Sequence, residues 1–152
     1  MRVTIDTNIF VYMVDERDPL KQATAIELVD RLRRGECAVS LQTIGELYAA
    51  LLRSLKRAPW EAAQASRNVL AAFNCFGSSR VSVERALAES MAGRFSYWDA
   101  HQLAAAHEAG CELCFSEDMK DGARLGDVEV VHPFGPSGLS DRANDELAKL
   151  GR

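Results

Sequence analysis

Val3-Thr4-Ile5-Asp6-Thr7-Asn8-Ile9-Phe10-Val11 sits at the start of the chain and decides how the rest is read. A β-branched run ends in a carboxylate, and an apolar stretch follows at once. That pattern predicts a first strand carrying an acid at its carboxyl end, the edge where open α/β sheets place their ligands. Working outward, Asp18-Pro19 marks a helix start, and the apolar positions Leu20, Ala23, Ile26 and Leu32 continue it to Gly35. Cys37-Ala38-Val39-Ser40 reads as a second strand. Thr43 opens a helix through Ile44, Leu47, Leu51 and Leu55, and Pro59 starts another to about Phe73.

A third strand falls somewhere within 74–83, blurred by Gly77-Ser78-Ser79. Helices follow over 83–93 and 97–109, the latter stopped by Gly110. Glu112–Phe115 and Val128–Val131 are the remaining strands. The alternation predicts a three-layer α/β/α fold with a central, mostly parallel sheet of four to five strands. Residues 1–135 form one domain in this reading. The tail 136–152 carries Leu139, Ala143, Leu147 and Leu150, a short amphipathic piece that either packs as a further helix or frays.

The bulk properties bound the function. One domain of 152 residues buries about two thirds of its unfolded surface. With 47% hydrophobic and 26% charged residues and a net charge of −4, the composition is that of an ordinary globular protein. A local basic patch can still grip nucleic acid under that charge. No run is long enough to span a membrane and no secretory leader is visible, so a cytoplasmic protein is expected. Cys111 and Cys114 form a C-x-x-C at a strand entrance, which favours small buried side chains over redox or zinc chemistry.

Asp6, Glu46, Asp99 and Asp118 are the acids that matter. Each has a local explanation. Asp6 can cap the next helix, Thr43 and Glu46 have capping-box spacing, Ser96 and Asp99 nearly repeat it, and Asp118 lies in a loop. Together they carry more. Carboxylates about 4 Å apart repel by roughly 4 kcal/mol at an effective dielectric of 20, so a cluster takes up protons or a cation. No lysine, arginine or histidine stands at a matching strand end. Oxygen ligands without Cys or His favour Mg²⁺ or Mn²⁺ over zinc.

The ordered set resembles the PIN-domain family, and within it the VapC-type toxins of toxin–antitoxin pairs. The matching residues are Asp6-Thr7-Asn8, Glu46 within Gln42-Thr43-Ile44-Gly45-Glu46-Leu47, Tyr97-Trp98-Asp99-Ala100, Phe115-Ser116-Glu117-Asp118-Met119 and Val131-His132-Pro133-Phe134, covering about residues 1–135. The resemblance implies a metal-dependent endoribonuclease. Asp6, Glu46, Asp99 and Asp118 would be both the catalytic acids and the holders of one or two Mg²⁺ or Mn²⁺ ions, Asp6 directly and Asp99 and Asp118 directly or through water. Asn8 and Ser116 would bond the carboxylates or the scissile phosphate, and Asp121 is an auxiliary acid. An RNA substrate and a cognate antitoxin follow from the same resemblance, and a homodimer is expected from the apolar faces around Tyr48, Leu52 and Trp60.

Other expectations rest on the residues alone. Arg53, Lys56, Arg57, Arg94, Lys120 and Arg124 bracket the acids and are the candidate phosphate contacts. His101 is expected on the surface or in a groove, off the acid face. Trp60, Tyr97 and Trp98 are expected in the core or an interface rather than as stacking platforms, and the faces around Tyr48, Leu52 and Trp60 suit a partner. Two alternatives compete: a haloacid-dehalogenase-like phosphatase, which lacks its second acid because position 8 is Asn, and a non-catalytic PIN-like binding module.

Overall fold

The computed structural model describes residues 1–151. Strand β1 (Arg2–Ile5) runs through Asp6 into helix α1 (Thr7–Tyr12). Helix α2 (Pro19–Leu32) begins as the sequence predicts, with Asp18 accepting from Lys21 N–H and Pro19 in the first turn, where its missing N–H costs nothing. Strand β2 (Ala38–Ser40), helices α3 (Leu41–Arg53) and α4 (Pro59–Ala72), and strand β3 (Asn74–Phe76) follow. Helices α5 (Arg80–Met91) and α6 (Tyr97–Glu108) form a packed pair. Gly110, at φ +76, turns the chain into strand β4 (Cys111–Phe115). The chain closes with β5 (Arg124–Leu125), β6 (Val128–Val131), the hairpin β7 (Phe134–Gly135) and β8 (Gly138–Leu139), and helix α7 (Asp141–Leu150).

The central sheet has four strands in the order β1-β4-β6-β5, parallel except for β5. The parallel pair β2–β3 joins its edge through one bridge between Val3 and Cys37. The three-layer expectation holds. Val3, Ile5, Leu113, Phe115 and Val131 face the layer built by α1–α4 and α7. Cys114, Val128 and Val130 face α5 and α6. A register shift between Arg2 and Val3 in the β1–β4 pairing accompanies a Cys111 that lies on the Cys114 side of β4.

Two open readings are decided and one expectation changes. The third strand is the short Asn74–Phe76. Helix α3 starts at Leu41, capped by Ser40, so Thr43 is interior and buried, not a cap. The tail does not fray: Ala143 and Leu147 of α7 enter the core beside α2. Among the described residues no helix is long and apolar enough to cross a membrane. Cys37, Cys111 and Cys114 are buried free thiols; burial pushes Cys37 up to about 12 and Cys111 up to about 11. A redox role for the C-x-x-C is incompatible with that environment.

Candidate active site

Parallel pairing of β1 and β4 sets Ile5 beside Phe115, and Asp6 N–H continues the ladder to Phe115 C=O at 2.9 Å. The next residue on each strand, Asp6 and Ser116, therefore meets its neighbour just past the sheet edge. Ser116 Oγ donates to Asp6 Oδ2 at 2.7 Å and accepts from Asp118 N–H at 3.2 Å. Asp6 Oδ1 meanwhile accepts from Thr7 N–H at 2.8 Å, so the cap reading of Asp6 is correct and uses only one of its oxygens. Asn8, the second residue of α1, donates to Asp118 Oδ2 at 2.6 Å.

Glu46 arrives from α3. It is the sixth residue of that helix and caps nothing. Thr7 Oγ1 donates to its Oε2 at 2.6 Å, and Gln42 Nε2 donates to its Oε1 at 2.6 Å. Asp99 comes from the first turn of α6, whose N-cap Ser96 accepts from Asp99 N–H at 3.3 Å. Capping thus engages the backbone of Asp99, not its carboxylate.

Asp6, Glu46, Asp99 and Asp118 all line one pocket of about 220 Å³, together with Thr7, Asn8, Gln42, Trp98 and Gln102. Among the described residues its lining includes no Lys, Arg or His. The electrostatic consequence is visible on two acids. Burial pushes the Asp6 carboxyl above its ordinary value, the Ser116 and Thr7 hydrogen bonds pull it back, and the charges of Asp118 and Glu46 push it further up. Asp118 is also raised, first by desolvation and then by Glu117 and Asp99, against the Asn8 hydrogen bond. The donor set is uniformly hard oxygen, which suits Mg²⁺ or Mn²⁺. Among the described residues, no three His, Cys, Asp or Glu side chains lie close enough together, as placed, to hold a metal ion. The acids surround an open space rather than a tight cage.

Several expected residues lie elsewhere. Asp121 accepts from His132 N–H at 2.9 Å and pairs with Arg142 at 3.1 Å, and these partners hold its carboxyl below the usual range despite some desolvation. It ties the loop after β4 to α7 and does not reach the pocket. Arg94 is paired with Glu89 at 2.6 Å, and Arg124 with Glu129. Arg57 donates to Val14 C=O at 3.1 Å. Arg53, Lys56 and Lys120 are exposed.

His101 corrects the sequence reading most clearly. It is buried, not on the surface, with Nδ1 2.7 Å from Gln42 Oε1 and its ring stacked on Tyr97. Trp60 and Trp98 are not core residues, which leaves the interface half of their expectation. They are 72% and 64% exposed, and Trp98 stands at the mouth of the acid pocket. Sequence reasoning gave no role to Thr7, Gln42 or Gln102. The latter two were findable: Gln42 is four residues before Glu46 and Gln102 three after Asp99, each on the same helix face as its acid.

A sequence profile of the PIN domain matches residues 3–122. No curated protein matches the chain by sequence. Among solved structures, the fold is similar to that of a toxin–antitoxin complex from Klebsiella pneumoniae, with a TM-score of 0.65 and 24% identity over 87% of this chain and 98% of that one. It is also similar to VapC20 of Mycobacterium tuberculosis, described as a sarcin–ricin-loop-cleaving toxin, with a TM-score of 0.63 and 19% identity over 76% and 91%. VapBC2 from Rickettsia felis, bound to a promoter DNA fragment, gives 0.63 and 15% over 86% and 97%. At such identities the likeness carries the fold.

Proposed function

This chain belongs to the PIN-domain family, and on that footing we propose that it is a Mg²⁺- or Mn²⁺-dependent endoribonuclease, the toxin of a toxin–antitoxin pair acting in the cytoplasm. The observation that carries the proposal is the convergence of four carboxylates from four separate segments on one pocket with no cationic side chain in its lining. Asp6, Glu46, Asp99 and Asp118 would hold the ion, with water completing the shell; Mg²⁺ in particular keeps several waters and needs few direct protein ligands. Bound there, the ion supplies charge neutralisation at the phosphate and an activated water.

The remaining work belongs to the chain. Ser116 and Thr7 keep Asp6 oriented, and Asn8 does the same for Asp118. Thr7 and Gln42 fix both oxygens of Glu46. Trp98, exposed beside the acids, offers a face on which a nucleobase can stack. Exposed Arg53, Lys56 and Lys120 are the cations left to meet phosphates. For an antitoxin, a surface groove of about 480 Å³ is suited to a docked apolar segment; it is lined by Phe10, Met13, Val29, Val69 and Phe73, with Arg33 in its wall. The exposed Val81, Leu87 and Met91 on α5 support a homodimer.

The phosphatase alternative has no support in this geometry, because Asn8 donates to Asp118 where a second acid would be needed. The test is cleavage of RNA by purified protein with Mg²⁺ or Mn²⁺. Cleavage is expected to stop on chelation and to be lost in Asp6→Asn. Intact RNA in the presence of a folded, metal-loaded wild type would leave the binding-module reading. A short adjacent reading frame encoding a DNA-binding protein is the expected signature of the antitoxin.

A further inference from the structure

We propose that His101 is a positioning residue for Glu46, acting through Gln42; the inference rests on the reading of Glu46 as one of the site's acids. A chain of contacts runs from α6 to α3 to α1: His101 Nδ1 to Gln42 Oε1 at 2.7 Å, Gln42 Nε2 to Glu46 Oε1 at 2.6 Å, and Thr7 Oγ1 to Glu46 Oε2 at 2.6 Å.

Its polarity is forced by what each group can do. An ionised Glu46 only accepts, so Gln42 must turn its NH₂ toward it. That leaves the Gln42 carbonyl facing the imidazole, and the bond at 2.7 Å exists only if His101 carries its proton on Nδ1. The other tautomer would set two lone pairs against each other. Gln42 would then be drawn to flip, placing its carbonyl against the Glu46 carboxylate. His101 Nδ1–H therefore selects the one amide orientation that points a donor at Glu46.

The histidine is itself held. It is 7% exposed, stacked on Tyr97 at 5.9 Å with ring planes 20° apart, and edge-on to Trp98 at 6.4 Å. Asp99 and Trp98 sit on the same first turn of α6. A ring anchored in that turn so ties the α6 acid to the α3 acid, and the relative placement of Asp99 and Glu46 depends on it. A purely space-filling histidine would need neither a fixed tautomer nor a fixed partner.

Asparagine and phenylalanine separate the two roles. His101→Asn keeps a donor near the Nδ1 position and loses ring volume, whereas His101→Phe keeps the ring and loses the donor. Mn²⁺ titration calorimetry should show affinity lowered about tenfold to a hundredfold in His101→Phe and in Gln42→Leu, the usual effect of removing a ligand's outer partner. His101→Asn should stay within about threefold of wild type. Equal affinities for wild type and His101→Phe, or a larger loss in His101→Asn than in His101→Phe, would overturn the proposal.

A second measurement stands apart from both metal and folding of variants. Long-range ¹H–¹⁵N correlation spectra of the wild type in chelator, recorded with the ring neutral, should show the Nδ1–H tautomer at His101. An Nε2–H tautomer would overturn the proposal. If the wild type binds no Mn²⁺, the metal reading of the site fails, and the tautomer still decides whether His101 sets the Gln42 amide.

Discussion

Asp6→Asn should stabilise the metal-free protein and destabilise it relative to wild type once metal is present. Asparagine caps a helix about as well as aspartate. The substitution therefore leaves an oxygen for Thr7 N–H, which now bonds Asp6 Oδ1 at 2.8 Å, and removes the charge alone. Its cost lies at Ser116, whose Oγ donates to Asp6 Oδ2 at 2.7 Å and would face an NH₂ group instead. Losing a charge-assisted bond costs about 1.5–3 kcal/mol. The gain is larger. Two carboxylates about 6 Å apart repel by about 3 kcal/mol at an effective dielectric of 20, and Asp6 is opposed by both Asp118 and Glu46 besides its own desolvation. Against one such repulsion the lost bond leaves a net stabilisation of up to about 1.5 kcal/mol, worth roughly 2–4 °C in Tm per kcal/mol for a chain of this size.

Scanning calorimetry in chelator and again in Mn²⁺ checks it. The wild type gains about 2.7 kcal/mol at a metal concentration a hundredfold above Kd, while the variant gains less, so the order of Tm values should cross. The pH dependence has a definite sign. Asp6 is raised in the folded state, so its contribution to stability is complete below the unfolded value of about 3.9 and is lost as pH rises through the folded value. In chelator, wild-type Tm should fall across that window, and Asp6→Asn should fall less. A Tm for Asp6→Asn equal to or below wild type in chelator would refute the repulsion argument and leave Asp6 as a cap.

Two further substitutions probe what surrounds the acids. Trp98→Ala should raise KM for RNA about tenfold with Tm unchanged within a degree, because stacking a base is worth about 1–3 kcal/mol and the ring is 64% exposed; steady-state cleavage and thermal melts read the two effects separately. Leu147→Ala should cost about 2–5 kcal/mol in urea unfolding, the usual loss for a buried leucine, because α7 packs into the core. A cost under about 0.5 kcal/mol would make residues 136–152 an appendage.

What the sequence made legible was local. The β-branched runs around Val3–Ile5 and Val128–Val131, the Asp18-Pro19 start and the Gly110 stop all became elements where expected, because propensity, capping and burial agree there. Strand β5 was missed because two residues carry no periodicity, and it exists only through antiparallel pairing with β6. The Thr43–Glu46 spacing misled because Ser40 already caps the helix, which puts Glu46 beyond any cap. Asp121 misled because a loop acid looks the same whether it faces a pocket or a distant arginine, and Arg142 lies 21 positions away. His101 was placed correctly off the acid face. What no spacing shows is that another helix covers that face, so that Gln42 meets the ring.

Position at strand ends does not by itself separate the four acids from helix caps, since caps gather at the same edge. The nature of their partners does. Two carboxylates elsewhere show the contrast: Arg17 holds Asp15 down to about 2, and Arg94 holds Glu89 below its ordinary value. Around the pocket the hydrogen-bond donors to the acids are a serine, a threonine, an asparagine, a glutamine and a backbone amide. Neutral donors fix the direction of an oxygen without cancelling its charge, whereas an arginine would do both. The pocket thus keeps its acids aimed and its negative potential intact, at the expense of raising Asp6 and Asp118. A fold that only needed caps there would gain stability from one arginine. If a cation from solution completes the site, the charge left uncompensated by the chain is what it neutralises, so the chelator experiment on Asp6 and the metal requirement for cleavage examine one and the same property.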